Sequence, residues 1–107
     1  MRRNEVWWVN FNPPSGGEIK KKRPAIIISN NASNKFLNRV QVVPLSGKTE
    51  RLYPSESAVV FEGKECKAMA DQLATVSKVR LFRLADVLSP EDMHKVEEAV
   101  KIQLAIH

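Results

Sequence analysis

The amino-acid sequence predicts a mainly β fold, a small antiparallel β-barrel closed by one C-terminal helix. Short apolar runs rich in Val, Ile, Trp and Phe recur up to Ser89, clusters of turn residues separate them, and a helical apolar period appears only beyond that point. Strands in succession followed by a single helix, with no repeat and no linker, pack most simply as a closed sheet with a helix laid on it. The 107 residues are too few for two ordinary cores, so one domain spanning 1–107 is expected.

The first element is Glu5–Phe11, where β-branched and aromatic residues predict a strand. It ends at Asn12-Pro13-Pro14-Ser15-Gly16-Gly17, strong turn chemistry that opens a long loop. Ala25–Ser29 reads as a buried strand closed by Asn30 and Asn31, and the stretch from Asn30 to Asn38 reads as a loop. Arg39–Pro44 alternates as a half-buried strand does. Ser57–Phe61 and Lys67–Asp71 form two more strands hinged near Gly63, and Thr75-Val76 continues the last of them. The helix is marked by Ser89 as N-cap, Pro90 at its first position, and Glu91 and Asp92 at the positive end of its dipole. Met93, Val96, Val100 and Leu104 then share one apolar face, leaving Glu97, Glu98 and Lys101 to solvent.

Composition narrows the functional classes. The longest aliphatic stretch, Ala25 to Ile28, is far short of a membrane span, and the N-terminus lacks a signal peptide's apolar region, so cytoplasmic residence is expected. A single cysteine, Cys66, excludes an intramolecular disulfide and a Cys-based zinc cluster, and reads as a small hydrophobe. Seventeen Lys and Arg against twelve Asp and Glu give a net charge of +5, a lean toward a polyanionic partner. Where the charge sits carries more information than its sum.

Conventional catalytic groups are scarce. The two histidines, His94 in the helix and His107 at the end of the chain, offer no paired acid–base arrangement and read as solvated. No HExxH, DxD-like or EF-hand spacing appears, no GxSxG elbow is present, and Gly16-Gly17 without a following helix is a turn signal. Neither a metal nor an organic cofactor is expected. What remains is Glu18-Ile-Lys-Lys-Lys-Arg-Pro24, three lysines and an arginine between a Gly-rich loop and a buried strand. One reading is a solvated charge run. The other is a phosphate-binding loop, in which Pro24 and the strand after it hold Arg23 while Lys20, Lys21 and Lys22 attract a nucleic-acid backbone.

The run from Pro13 through Glu18, Arg23-Pro24 and Ala25-Ile-Ile-Ile-Ser29 resembles the signature of the MazF/PemK (Kid) toxin family. The likeness continues through Val42-Val-Pro44-Leu-Ser46 and Ala70-Asp71-Gln72-Leu73, and takes in Glu5-Val-Trp7 and the closing helix. It thus covers nearly the whole chain. The resemblance implies an SH3-like barrel of the MazF/CcdB type, the toxin of a type II toxin–antitoxin pair. It implies a homodimer that cleaves single-stranded RNA at short sequence motifs without metal, leaving a 2′,3′-cyclic phosphate and a 5′-hydroxyl. By motif position Arg23 matches the family's catalytic arginine and Ser46 its catalytic hydroxyl, usually Thr. Glu18 is the candidate base, or the group that orients Arg23. Lys20, Lys21, Lys22, Gln72 and Phe36 are the expected RNA contacts, Phe36 by stacking on a base, whereas Trp7, Trp8 and Phe11 read more readily as core or interface.

Three positions depart from the family pattern. Ser46 lacks the methyl group that restricts the χ1 of Thr, so its hydroxyl is oriented more loosely. Ala74 stands where relatives commonly carry Arg or Lys, and Ser77 where they often carry Asp, which bears on RNA preference and dimer contacts. The partner implied beside RNA is an acidic, partly disordered antitoxin that folds onto the basic surface. Two alternatives stay open on the same barrel: a CcdB-like toxin that binds gyrase without nuclease chemistry, and an inactive RNA-binding relative. The Glu18, Arg23 and Ser46 set separates the first from a ribonuclease, because a gyrase binder does not need it.

Overall fold

A computed structural model describes residues 1–11 and 22–107. Its strands are β1 (Glu5–Asn10), β2 (Lys22–Ile27), β3 (Arg39–Ser46), β4 (Glu56–Phe61), β5 (Lys64–Met69), β6 (Ala74–Ser77) and β7 (Leu81–Val87), and its helices are α1 (Asn31–Phe36) and α2 (Pro90–Leu104). Short 3₁₀ turns at Ala70–Gln72 and Lys78–Arg80 flank β6. The sheet runs β4-β5-β3-β2-β1-β7, with β6 also on β3, and its neighbours are antiparallel throughout.

The two edge strands of this path meet. The Asp86 carboxylate near the end of β7 accepts from the Glu62 N–H just past β4 at 2.8 Å, and Asp92 of α2 accepts from the Val60 N–H at 2.7 Å. The sheet therefore curls into a half-barrel whose edge amides are met by side-chain carboxylates in place of a ladder, which blunts them as pairing templates. The expected small antiparallel barrel with a C-terminal helix is the architecture found.

Alternation along the strands sends side chains to two faces. One buries Val6, Ile26, Val43, Leu45, Val59, Phe61 and Ala68 against Leu88, Met93 and Val96, beneath α2. The other buries Val9, Ala25, Ile27, Val40, Val42, Val76 and Leu81, with Trp7 and Phe11 packed on them and no residue of α2. Trp8, on the first face, meets Phe61 edge-on with ring centroids 6.5 Å apart. Because β2 lies between β1 and β3, Ala25, Ile26 and Ile27 are fully buried, as their unbroken aliphatic run predicts. Ser89 caps α2 by accepting from the Asp92 N–H, with Pro90 in the first turn, as read from sequence.

Several elements differ from the sequence-based expectation, each for a tertiary reason. Lys22-Arg23-Pro24 belongs to β2, because β1 pairs with it residue by residue down to Asn10↔Lys22. Asn30 to Asn38 is largely helical: Asn30 caps α1 by accepting from the Ser33 N–H, and Asn34 is buried, exchanging hydrogen bonds with the Ser29 hydroxyl and carbonyl. Thr75-Val76 does not prolong β5. The turn at Ala70–Gln72, which takes in Asp71, redirects the chain so that β6 pairs with β3. Strand β7 escapes the alternation rule because bulges shift its register against β1 and leave Phe82 and Leu84 about half exposed. On α2 the buried position near the end is Ala99 and not Leu104, which is 51% exposed. Burial pushes the Cys66 thiol above its ordinary value, with nearby Lys64 opposing. No helix among the described residues is long and apolar enough to cross a membrane.

Candidate functional site

The site is built from the ends of two neighbouring strands. Arg23 is the second residue of β2, opposite Val9, and alternation puts it on the same face as Ala25 and Ile27, away from α2. Ser46 is the last residue of β3 and falls, with Val40 and Val42, on that same face. The β2–β3 register runs Ile27↔Val42, Ile26↔Val43, Ala25↔Pro44. Continued by two residues, it sets Arg23 across from Ser46. The ladder stops at Pro44, whose nitrogen carries no hydrogen, and there β3 passes to β5: Leu45 pairs with Ala68 and Ser46 with Lys67. Arg23 thus ends one sheet neighbour of β3 while Ser46 faces the other.

Both groups are half-buried, and each is placed to act. Arg23 makes no ion pair among the described residues, so its fork of donors can close on a phosphate oxygen. The Ser46 Oγ accepts from the Lys48 N–H at 3.2 Å, which fixes the oxygen while leaving the hydroxyl proton to donate. By the same alternation Lys22 falls on the other face of β2, where it extends over the Phe82 ring, 5.6 Å from its centroid; the exposed Lys48 and Arg51 follow Ser46 along the chain, with Glu50 between them. A donor pair with cations close by in the chain is suited to holding a phosphodiester and stabilising charge as it builds on phosphorus-bound oxygens.

The other expected residues distribute as follows. Glu18, Lys20 and Lys21 lie outside the described residues. Gln72 is exposed on the turn after β5, its amide nitrogen 3.7 Å from the Met69 sulfur, and that turn packs on β3. Phe36 is 78% exposed at the end of α1, with Lys35 over its ring. It sits at the opposite end of the β2–β3 hairpin from Ser46, with β3's length, about 23 Å at strand rise, between them. The structure therefore groups Arg23 and Ser46, sets Lys22 beside Arg23 in the chain but on the other face of β2, and leaves Phe36 apart. Of the departing positions, Ala74 pairs with Val42, and Ser77 caps the turn at Lys78–Arg80 by accepting from the Val79 N–H. His94 and His107 are exposed.

Fold and site together define a small β-barrel protein that offers an arginine–hydroxyl pair at a strand seam. The chain belongs to the PemK-like, MazF-like toxins of type II toxin–antitoxin systems, whose family model matches residues 2–104. It is 30% identical over 113 aligned positions to an endoribonuclease MazF9 of Mycobacterium tuberculosis, covering 97% of this chain and 96% of that one. It is likewise 30% identical to an endoribonuclease MazF of Staphylococcus saprophyticus, over 100% of this chain and 93% of the relative. Among solved structures, an endoribonuclease bound to its cognate antitoxin from a mycobacterial species superposes with a TM-score of 0.83 at 25% identity, covering 100% and 97% of the two chains.

Proposed function

We propose that this chain is a cytoplasmic toxin endoribonuclease that cleaves single-stranded RNA, mRNA above all, at short sequence motifs by metal-independent transesterification. Endoribonuclease activity follows from its kinship. The observation that carries the chemistry is the convergence of Arg23 and Ser46 on the helix-free face at the seam where β3 changes neighbours.

In the proposed reaction the RNA's own 2′-oxygen forms a bond to the adjacent phosphorus while the bond from phosphorus to the 5′-oxygen breaks. The 2′-hydroxyl gives up its proton and the departing 5′-oxygen takes one, so a 2′,3′-cyclic phosphate and a 5′-hydroxyl result and no protein nucleophile is consumed. A guanidinium is always charged and a poor proton acceptor, so Arg23 clamps the phosphoryl oxygens and stabilises their growing charge. The Ser46 hydroxyl orients the 2′-oxygen or donates to a phosphoryl oxygen. Glu18 takes the base role or orients Arg23. Lys20, Lys21, Lys22, Gln72 and Phe36 contact the RNA beyond the scissile bond.

A domain of this size presents a short groove, and a two-fold homodimer would double it. The cations near the site are matched by an acidic antitoxin segment, which would block RNA by occupying the same charges. The kinship favours cleavage over the gyrase-binding and non-cleaving alternatives.

Mixed-sequence single-stranded RNA incubated in EDTA with the parent, Arg23→Ala and Ser46→Ala tests the reading. The parent is expected to yield fragments ending in 2′,3′-cyclic phosphate, with Arg23→Ala slower by about a thousandfold and an unchanged melting temperature. Intact RNA with the parent would overturn cleavage, and full activity in Arg23→Ala would overturn the site.

A further inference from the structure

Beside Ser46 lies a cluster of side chains that the proposed reaction does not use. Lys67 of β5 is the register partner of Ser46, so the two side chains rise from the same face of neighbouring strands. Its side chain is largely shielded, 13% exposed, and its ammonium pairs at 3.1 Å with the Glu56 carboxylate, whose side chain is 7% exposed. Nζ also donates to the Arg51 carbonyl at 3.3 Å and sits over the Tyr53 ring, 5.9 Å from its centroid. Glu56 Oε1 accepts in turn from the Tyr53 N–H at 3.0 Å, and the Arg51 guanidinium donates to the Tyr53 hydroxyl. One shielded cation therefore gathers a backbone carbonyl, a carboxylate and an aromatic face, all from the segment that runs from Ser46 to the first residue of β4.

A solvent-facing lysine would be mobile and interchangeable with any polar residue. A shielded ammonium that bonds both a loop carbonyl, Arg51, and the carboxylate at the start of β4, Glu56, has a fixed position, and it fixes whatever accepts from it. That loop, residues 47–55, begins at the residue after Ser46, and its Lys48 N–H is the donor that holds the Ser46 oxygen. From this arrangement we infer that Lys67 is a positioning residue, locking the 47–55 loop onto β5 and thereby setting the direction of the Ser46 hydroxyl. This rests on Ser46 acting in RNA cleavage, but the locking itself is measurable without RNA.

The sequence contains one tyrosine, Tyr53, so biosynthetic 3-fluorotyrosine places a single ¹⁹F reporter in the loop. Lys67→Met is expected to move or broaden the Tyr53 resonance and to lower kcat/KM by about tenfold, the loss falling on kcat, as displaced catalytic groups do. Lys67→Arg keeps a charged donor and is expected to restore activity to within about threefold of the parent. Because Lys67→Met strands the Glu56 carboxylate, the double variant Lys67→Met/Glu56→Gln removes both charges and guards against simple unfolding. It should melt near the parent and still show the displaced resonance. A Tyr53 resonance unmoved in both Met variants, or activity that recovers fully once folding is restored in the double variant, would overturn the inference. A displaced resonance in a protein whose parent does not cleave RNA would instead count against the nuclease reading and leave the loop lock standing.

Discussion

The two faces of the curled sheet are built from the same strands yet are held in different ways. Under α2 the packing is deep and continuous: Val6, Ile26, Val43 and Leu45 meet Leu88, Met93 and Val96 with almost no exposed area. On the other face Val9, Ala25, Ile27, Val40 and Val42 are equally dry, but Val76 and Leu81 cover them in place of a helix, and the polar groups Arg23 and Ser46 emerge at its end. The helix-backed face is thus given over to stability. Its counterpart leaves room at the strand ends for groups that must meet a ligand, the usual division between a rigid scaffold and the residues it presents.

That division makes separable predictions. The largest effect is expected from Met93→Ala, which opens a hole beneath α2 and should lower unfolding free energy by about 2–5 kcal/mol. Urea unfolding followed by tryptophan fluorescence measures this. Below the transition, cleavage per folded molecule should match the parent, and a selective loss of activity would break the division between faces. Next comes Asp92→Ala, which strips the acceptor from the Val60 N–H and a negative charge from the start of α2, and should cost about 1–2 kcal/mol with activity unchanged. Smallest is Ser46→Thr on the opposite face. The added methyl narrows χ1 and should raise kcat by about threefold at an unaltered melting temperature. A slower Ser46→Thr would mean that the serine's freedom is used, not merely tolerated.

The helix itself was the most legible element, since the cap at Ser89 marks its start and the apolar period marks Met93 and Val96, whereas the alternation in Arg39–Pro44 marks Val40 and Val42 on the face away from it. The hidden parts are those where tertiary contacts outweigh local pattern. Strand β7 carries Arg83 and Asp86 among apolar residues, and its bulges hide the period; α1 looks like polar loop until the buried Asn34 is seen bonded to Ser29. Arg23 and Ser46 stood out through their motifs. Their facing placement did not, because strand register is set by pairing and leaves little trace in one chain. Lys67 was overlooked for the same reason, as nothing near it in sequence says that its partner is Ser46.

Pro44 has a mechanical consequence. It is the point at which β3 leaves β2 for β5, so Arg23 rides on one leaf of a folded page and Ser46 is braced against the other. The spacing of the two groups is therefore inherited from how β2 and β5 lie on either side of β3, and the crease at Pro44 is where a single strand serves as the spine for both.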